Sequence, residues 1–84
     1  RLIMAKKSII VNVRIDVKEA NKIAGAAKGF ESKISLQKEL MKANAKSIMG
    51  IIMLTADKND ELEIVADGVD SDAAIKTLEN LISG

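Results

Sequence analysis

The sequence has no cysteine, histidine, proline, tryptophan or tyrosine, and Phe30 is its only aromatic residue. Each absence removes a class of chemistry. Without cysteine there is no disulfide framework and no thiolate nucleophile. Without cysteine and histidine a zinc or other soft-metal site is disfavoured, and the usual general base near neutral pH is missing. No apolar run approaches the roughly 20 residues that span a bilayer. The opening Arg1-Leu2-Ile3-Met4 is too short for a signal peptide. Met4 reads as an initiator preceded by three foreign residues, Arg1 to Ile3, and the expected location is the cytoplasm.

What remains is 84 residues, 48% apolar and 30% charged, which describes one small globular domain over 1–84. The net charge is +1 with both signs mixed along the chain, which argues against a basic nucleic-acid face. The core must be built from Ile, Leu, Val, Ala and Met. No motif calls for a cofactor, a metal, a membrane or a small-molecule substrate.

Hydrophobic period divides the chain into seven elements. Lys7 to Ile15 alternates through Ile9, Val11, Val13 and Ile15, the pattern of a strand. From Asp16 the spacing turns helical, with Val17, Ala20, Ile23, Ala24 and Ala27 on one stripe. Asp16 with Glu19 resembles a capping box, and Gly29 is a helix stop. Gly25 lies inside this helix, where it is expected to allow close packing. Lys33 to Leu36 and Met41 to Ala43 read as a hairpin turning at Gln37-Lys38-Glu39. Ser47 to Leu54 is a short helix, with Ile51 and Leu54 expected to point inward. Thr55 to Glu61 is a loop, and Leu62, Ile64 and Ala66 alternate as a strand ended by Asp67-Gly68. A final helix capped by Asp70 or Ser71 carries Ala74, Ile75, Leu78, Leu81 and Ile82. The order β-α-β-β-α-β-α implies an α+β fold. Its four-stranded antiparallel sheet has helices covering one face.

One hydroxyl stands out. Ser47 directly precedes an apolar run, where its oxygen would cap the short helix. A phosphate on that oxygen would also be favoured, because unpaired N–H groups and the helix dipole both attract negative charge. Ser47 is thus a cap or a phosphorylation switch, and physics alone leaves both open.

The stretch Asn44-Ala45-Lys46-Ser47-Ile48-Met49-Gly50 resembles the regulatory-serine motif of the HPr family. These are small phosphocarriers of the bacterial phosphoenolpyruvate:sugar phosphotransferase system. The resemblance runs from about Lys7 to the end and implies an HPr-like open-faced β-sandwich that is not an enzyme. The family's other motif, Gly-Leu-His-Ala-Arg-Pro-Ala, falls on Arg14-Ile15-Asp16-Val17-Lys18-Glu19-Ala20. Only Ala20 is identical. Asp16 stands at the phosphocarrier histidine and Lys18 at the arginine, and lysine lacks the bidentate grip of arginine on phosphate.

Asp16 has three readings: a helix cap, a fixed charge imitating a phosphorylated carrier, or a degenerate phosphate acceptor forming an acyl phosphate. The chain is similar to the catabolite-repression HPr-like branch, which keeps the serine and lacks the histidine. That similarity implies phosphorylation of Ser47 by an HPr kinase/phosphorylase. It also implies docking to a catabolite control transcription regulator through Lys46, Ile48, Met49 and Ile52. The alternative is a small binding or assembly domain outside sugar transport, in which Ser47 only caps a helix.

Overall fold

Leu62, Ile64 and Ala66 are completely buried, and they identify the strand at the centre of the molecule. The computed structural model describes residues 4–84, so the expected foreign residues Arg1 to Ile3 lie outside the described residues. The elements are β1 (Met4–Ile10), α1 (Val17–Lys28), β2 (Lys33–Lys38), β3 (Met41–Asn44), α2 (Ile48–Met53), β4 (Glu61–Asp67) and α3 (Ser71–Ile82). The strands form one sheet in the order β1-β4-β2-β3, and every neighbouring pair is antiparallel. All three helices pack on the face that carries Ile9, Ile34, Leu36, Leu62, Ile64 and Ala66. Each fully buried Leu or Ile of this layer contributes about 1.5–3 kcal/mol relative to exposure. The expected α+β architecture and element order are the observed ones.

Several boundaries differ from the sequence expectation, each for an identifiable reason. β1 ends at Ile10, not Ile15, because its partner β4 begins at Glu61. Beyond that point Val11 bonds to Asp60 O at 2.9 Å and accepts from Asn59 N at 2.8 Å, and Asn12 N turns to Ile82 O. The alternation through Val13 and Ile15 reflects partial burial without a ladder. β2 continues through Lys38, and the chain reverses at Glu39-Leu40, with Glu39 at φ 54. Lys38 can occupy a strand end on the core side because its ammonium reaches Thr55 O at 2.9 Å and Asp60 at 3.3 Å. Val17, expected on the buried stripe of α1, is exposed in the first turn.

The turn between α1 and β2 is held by an acid from α3. Asp70 occupies the N-cap position of α3, but its side chain makes no cap bond there. Its carboxylate instead accepts from Glu31 N at 2.8 Å, Ser32 N at 3.0 Å and the hydroxyl of buried Ser32. The Ser32 hydroxyl first, and then the Glu31 N–H, hold the Asp70 carboxyl below its ordinary range. Gly68 belongs to the same knot. Its φ is +158°, and a Cβ there would lie 2.7 Å from Ser32 Cα, so no larger residue fits without a shift.

Two predictions follow from these features. A Cβ at Gly25 would meet nothing within 4 Å, so this glycine serves no close approach. Gly25→Ala should therefore stabilise the protein by about 1 kcal/mol, read as a higher urea midpoint. Asp70 is depressed in the folded state, so its contribution is present above about pH 3.9 and lost as acid protonates the folded carboxylate. Asp70→Asn should lower the urea midpoint at pH 7, and the gap to wild type should narrow at pH 3. An equal gap at both pH values would contradict this assignment.

Candidate functional site

Two helix N-termini carry the candidate groups, and both are capped as the sequence implies. Asp16 is extended (φ −91, ψ −171), and its Oδ1 accepts from Glu19 N at 2.9 Å. Only half of a capping box forms. Asp16 N donates to Arg14 O at 3.1 Å, while the Glu19 carboxylate lies 3.6 Å from Lys22. Asp16 and Lys18 are both solvent-exposed at the start of α1. Among the described residues, no group of three or more acidic, histidine or cysteine side chains is placed to hold a metal ion. Any phosphate chemistry of Asp16 would therefore proceed without a carboxylate cluster to recruit a divalent cation.

Ser47 is the equivalent residue of α2. It is extended (φ −108, ψ 115), its Oγ accepts from Gly50 N at 3.0 Å, and its carbonyl accepts the first helical bond from Ile51 N. The N–H groups of Ile48 and Met49 precede that first bond and are the orphan donors of the turn. Ser47 is half-buried. Gly50 packs under it, since a Cβ there would sit 3.3 Å from Ser47 Oγ.

The apolar residues after Ser47 separate into three groups. Ile51 and Leu54 are buried, as their spacing implies, and anchor α2. Ile48 and Ile52 are half-buried and pack against the core from its edge. Met49 and Met53 are exposed, at 65% and 64%. Of the docking residues named from sequence, Met49 is thus the one with most of its side chain free, and Ile48 and Ile52 offer only an edge. Met53 was not singled out from sequence. The signal was its position four residues after Met49, on the same helix face. With Met41, Asn44, Ser47 and Gly50 it lines a groove of about 310 Å³ between α2 and β3.

Lys46, the remaining docking residue named from sequence, is half-buried. Its Nζ donates to Phe30 O at 2.8 Å, so the ammonium sits at the end of α1 rather than over Ser47. Its backbone N–H is held by Asn44 Oδ1 at 2.9 Å. α2 ends at Met53 with Leu54 as its C-cap, and the next residue, β-branched Thr55, has φ 50, a conformation such residues rarely adopt. No described helix is long and apolar enough to cross a membrane.

Known proteins resemble this chain in sequence and in fold. A family model described as PTS HPr component phosphorylation site matches residues 5–84. The phosphocarrier protein HPr of Neisseria meningitidis is 37% identical over 83 residues, covering 96% of this chain and 93% of that protein. The crystal structure of a phosphocarrier protein HPr from Bacillus anthracis superposes with a TM-score of 0.90 at 27% identity. That match covers 95% of this chain and 98% of the other. The catabolite repression protein Crh of Bacillus subtilis, described as a swapped dimer, matches with a TM-score of 0.77 at 29% identity. It covers 87% of this chain and 82% of the other.

The two caps carry a common expectation. Asp16→Ala and Ser47→Ala should each cost about 1 kcal/mol, while Asp16→Ser and Ser47→Asp, which keep an acceptor, should cost much less. Urea midpoints of the four variants test this, and equal losses for Ala and acceptor substitutions would show that the caps contribute nothing.

Proposed function

The chain belongs to the HPr family, and from that premise we propose that it is a regulatory member, switched by phosphorylation at Ser47 and unable to carry phosphate on histidine. It is an HPr-like component of the phosphotransferase system and not an enzyme. HPr proteins act with other proteins of that system. The observation that carries the regulatory reading is the absence of histidine throughout a sequence that the phosphorylation-site family matches over residues 5–84. Asp16, the residue read at the histidine position, uses Oδ1 to cap α1. A carboxylate occupied as a cap is a poor stand-in for a neutral imidazole nucleophile.

Ser47 retains what a switch needs. Its hydroxyl caps α2, and the N–H groups of Ile48 and Met49 lie ahead of the first helical bond. An HPr kinase/phosphorylase would transfer the γ-phosphoryl group of ATP to Ser47 Oγ. The new P–O bond replaces the hydroxyl proton, and ADP leaves. The added charge of about −2 falls at a helix N-terminus, where the dipole favours it.

The phosphoserine would then dock on a catabolite control transcription regulator. Exposed Met49 supplies an adaptable apolar contact, and Ile48 and Ile52 supply its edge. The likeness to Crh supports this branch, since that protein is described by catabolite repression. The whole chain acts as one HPr-like domain in the cytoplasm.

Incubation with HPr kinase and ATP should add one phosphate by intact-mass measurement, and Ser47→Ala should abolish it. An authentic HPr labelled in parallel while this chain stays unmodified would sink the switch. In the same experiment, enzyme I with phosphoenolpyruvate should leave this protein unlabelled. A hydroxylamine-sensitive label lost in Asp16→Ala would instead establish the degenerate phosphocarrier.

A further inference from the structure

The Phe30–Glu31 peptide unit lies between a cation and an anion. Its carbonyl accepts from Lys46 Nζ at 2.8 Å, and its N–H donates to Asp70 Oδ2 at 2.8 Å. A peptide polarised from both ends donates and accepts more strongly than an isolated one. The chain of contacts starts at the residue before Ser47 and ends at the N-cap of α3.

The position of Lys46 has an electrostatic cause. Placed ahead of α2, its ammonium would face the positive end of that helix dipole, which repels it. The Phe30 carbonyl lies just past the C-terminal end of α1, where the dipole is negative and a cation is favoured. The lysine stem therefore runs from α2 to α1. A phosphate on Ser47 reverses the sign at the α2 end. It places a dianion one residue from Lys46, and a charge-assisted bond to phosphate is stronger than one to a neutral carbonyl.

We propose that Lys46 is the positioning residue through which phosphorylation of Ser47 is felt at the α1–β2 turn. Its ammonium leaves Phe30 O for the phosphate, and the Phe30–Glu31 peptide loses its cation. This rests on Ser47 as the modified residue and adds where the signal goes. No bond is broken other than hydrogen bonds. The two positions of the ammonium are the two states, and the phosphate biases them. The turn stays tethered by Asp70 through Glu31 N, Ser32 N and the Ser32 hydroxyl, so it is relaxed and not unfolded.

The test uses the full chain with phosphoserine placed at position 47 by chemical ligation, so that no kinase is needed. Carbonyl ¹³C of Phe30 and the amide of Glu31 are read by NMR in four proteins: Lys46 or Lys46→Met, each with and without the phosphate. Methionine keeps an apolar stem but cannot donate. Phosphorylation should shift both signals in the Lys46 protein, toward their positions in unmodified Lys46→Met. In Lys46→Met the phosphate should leave them in place while the amides of Ile48 and Met49 still move. Unmoved Phe30 and Glu31 signals in the Lys46 protein, or equal movement in both backgrounds, would overturn the relay. Failure of a kinase to modify Ser47 would remove only the switch reading and leave this result standing.

Discussion

The constraint on which the rest depends is the burial of one face of β4. Leu62, Ile64 and Ala66 have no exposed surface, while Glu61, Glu63, Val65 and Asp67 alternate with them on the other side. A slip of one residue would bury three carboxylates and expose the core set, so the register is strongly specified. β1 and β2 pair on either side of β4 in that register, and β3 follows β2 through a two-residue turn. α3 then returns along β4 and β1, while α1 contacts both α3 and α2. The position of Ser47 is a consequence. It stands where the chain leaves β3, the sheet edge farthest from β1.

Asp16 and Ser47 do the same local work and differ in what else they can do. Each accepts a bond from an N–H three residues on, at 2.9 and 3.0 Å. The carboxylate already brings negative charge to its helix, so the dipole of α1 is satisfied without modification. The hydroxyl brings none, so the dipole of α2 can still be complemented by an added charge. The short second helix has no acidic residue in its first turn.

A likeness at 27% identity with a TM-score of 0.90 shows how little of the sequence the fold requires. What must persist is apolar residues at the periods of the strands and helices, and turn chemistry where the chain reverses. Gly68 is an example of the second requirement, because Ser32 leaves it no room for a side chain. The site obeys a different rule. It depends on individual functional groups, and the sequence contains no histidine.

The sequence by itself determined the element order, the buried stripes apart from Val17, and the caps of α1 and α2. These depend on neighbours within four residues, and local spacing encodes such neighbours directly. Ile51 and Leu54 as anchors of α2, Asp16 as the cap of α1 and Ser47 as the cap of α2 belong to this class. Tertiary structure alone decided where β1 stops, since that depends on where β4 begins, some fifty residues away. It also decided that Asp70 serves the α1–β2 turn instead of its own helix, and that Lys46 reaches Phe30 instead of Ser47. In the last two cases a charged group has a local partner and a distant one. The fold chooses between them by bringing the distant partner within 3 Å, and no pattern along the chain records that distance.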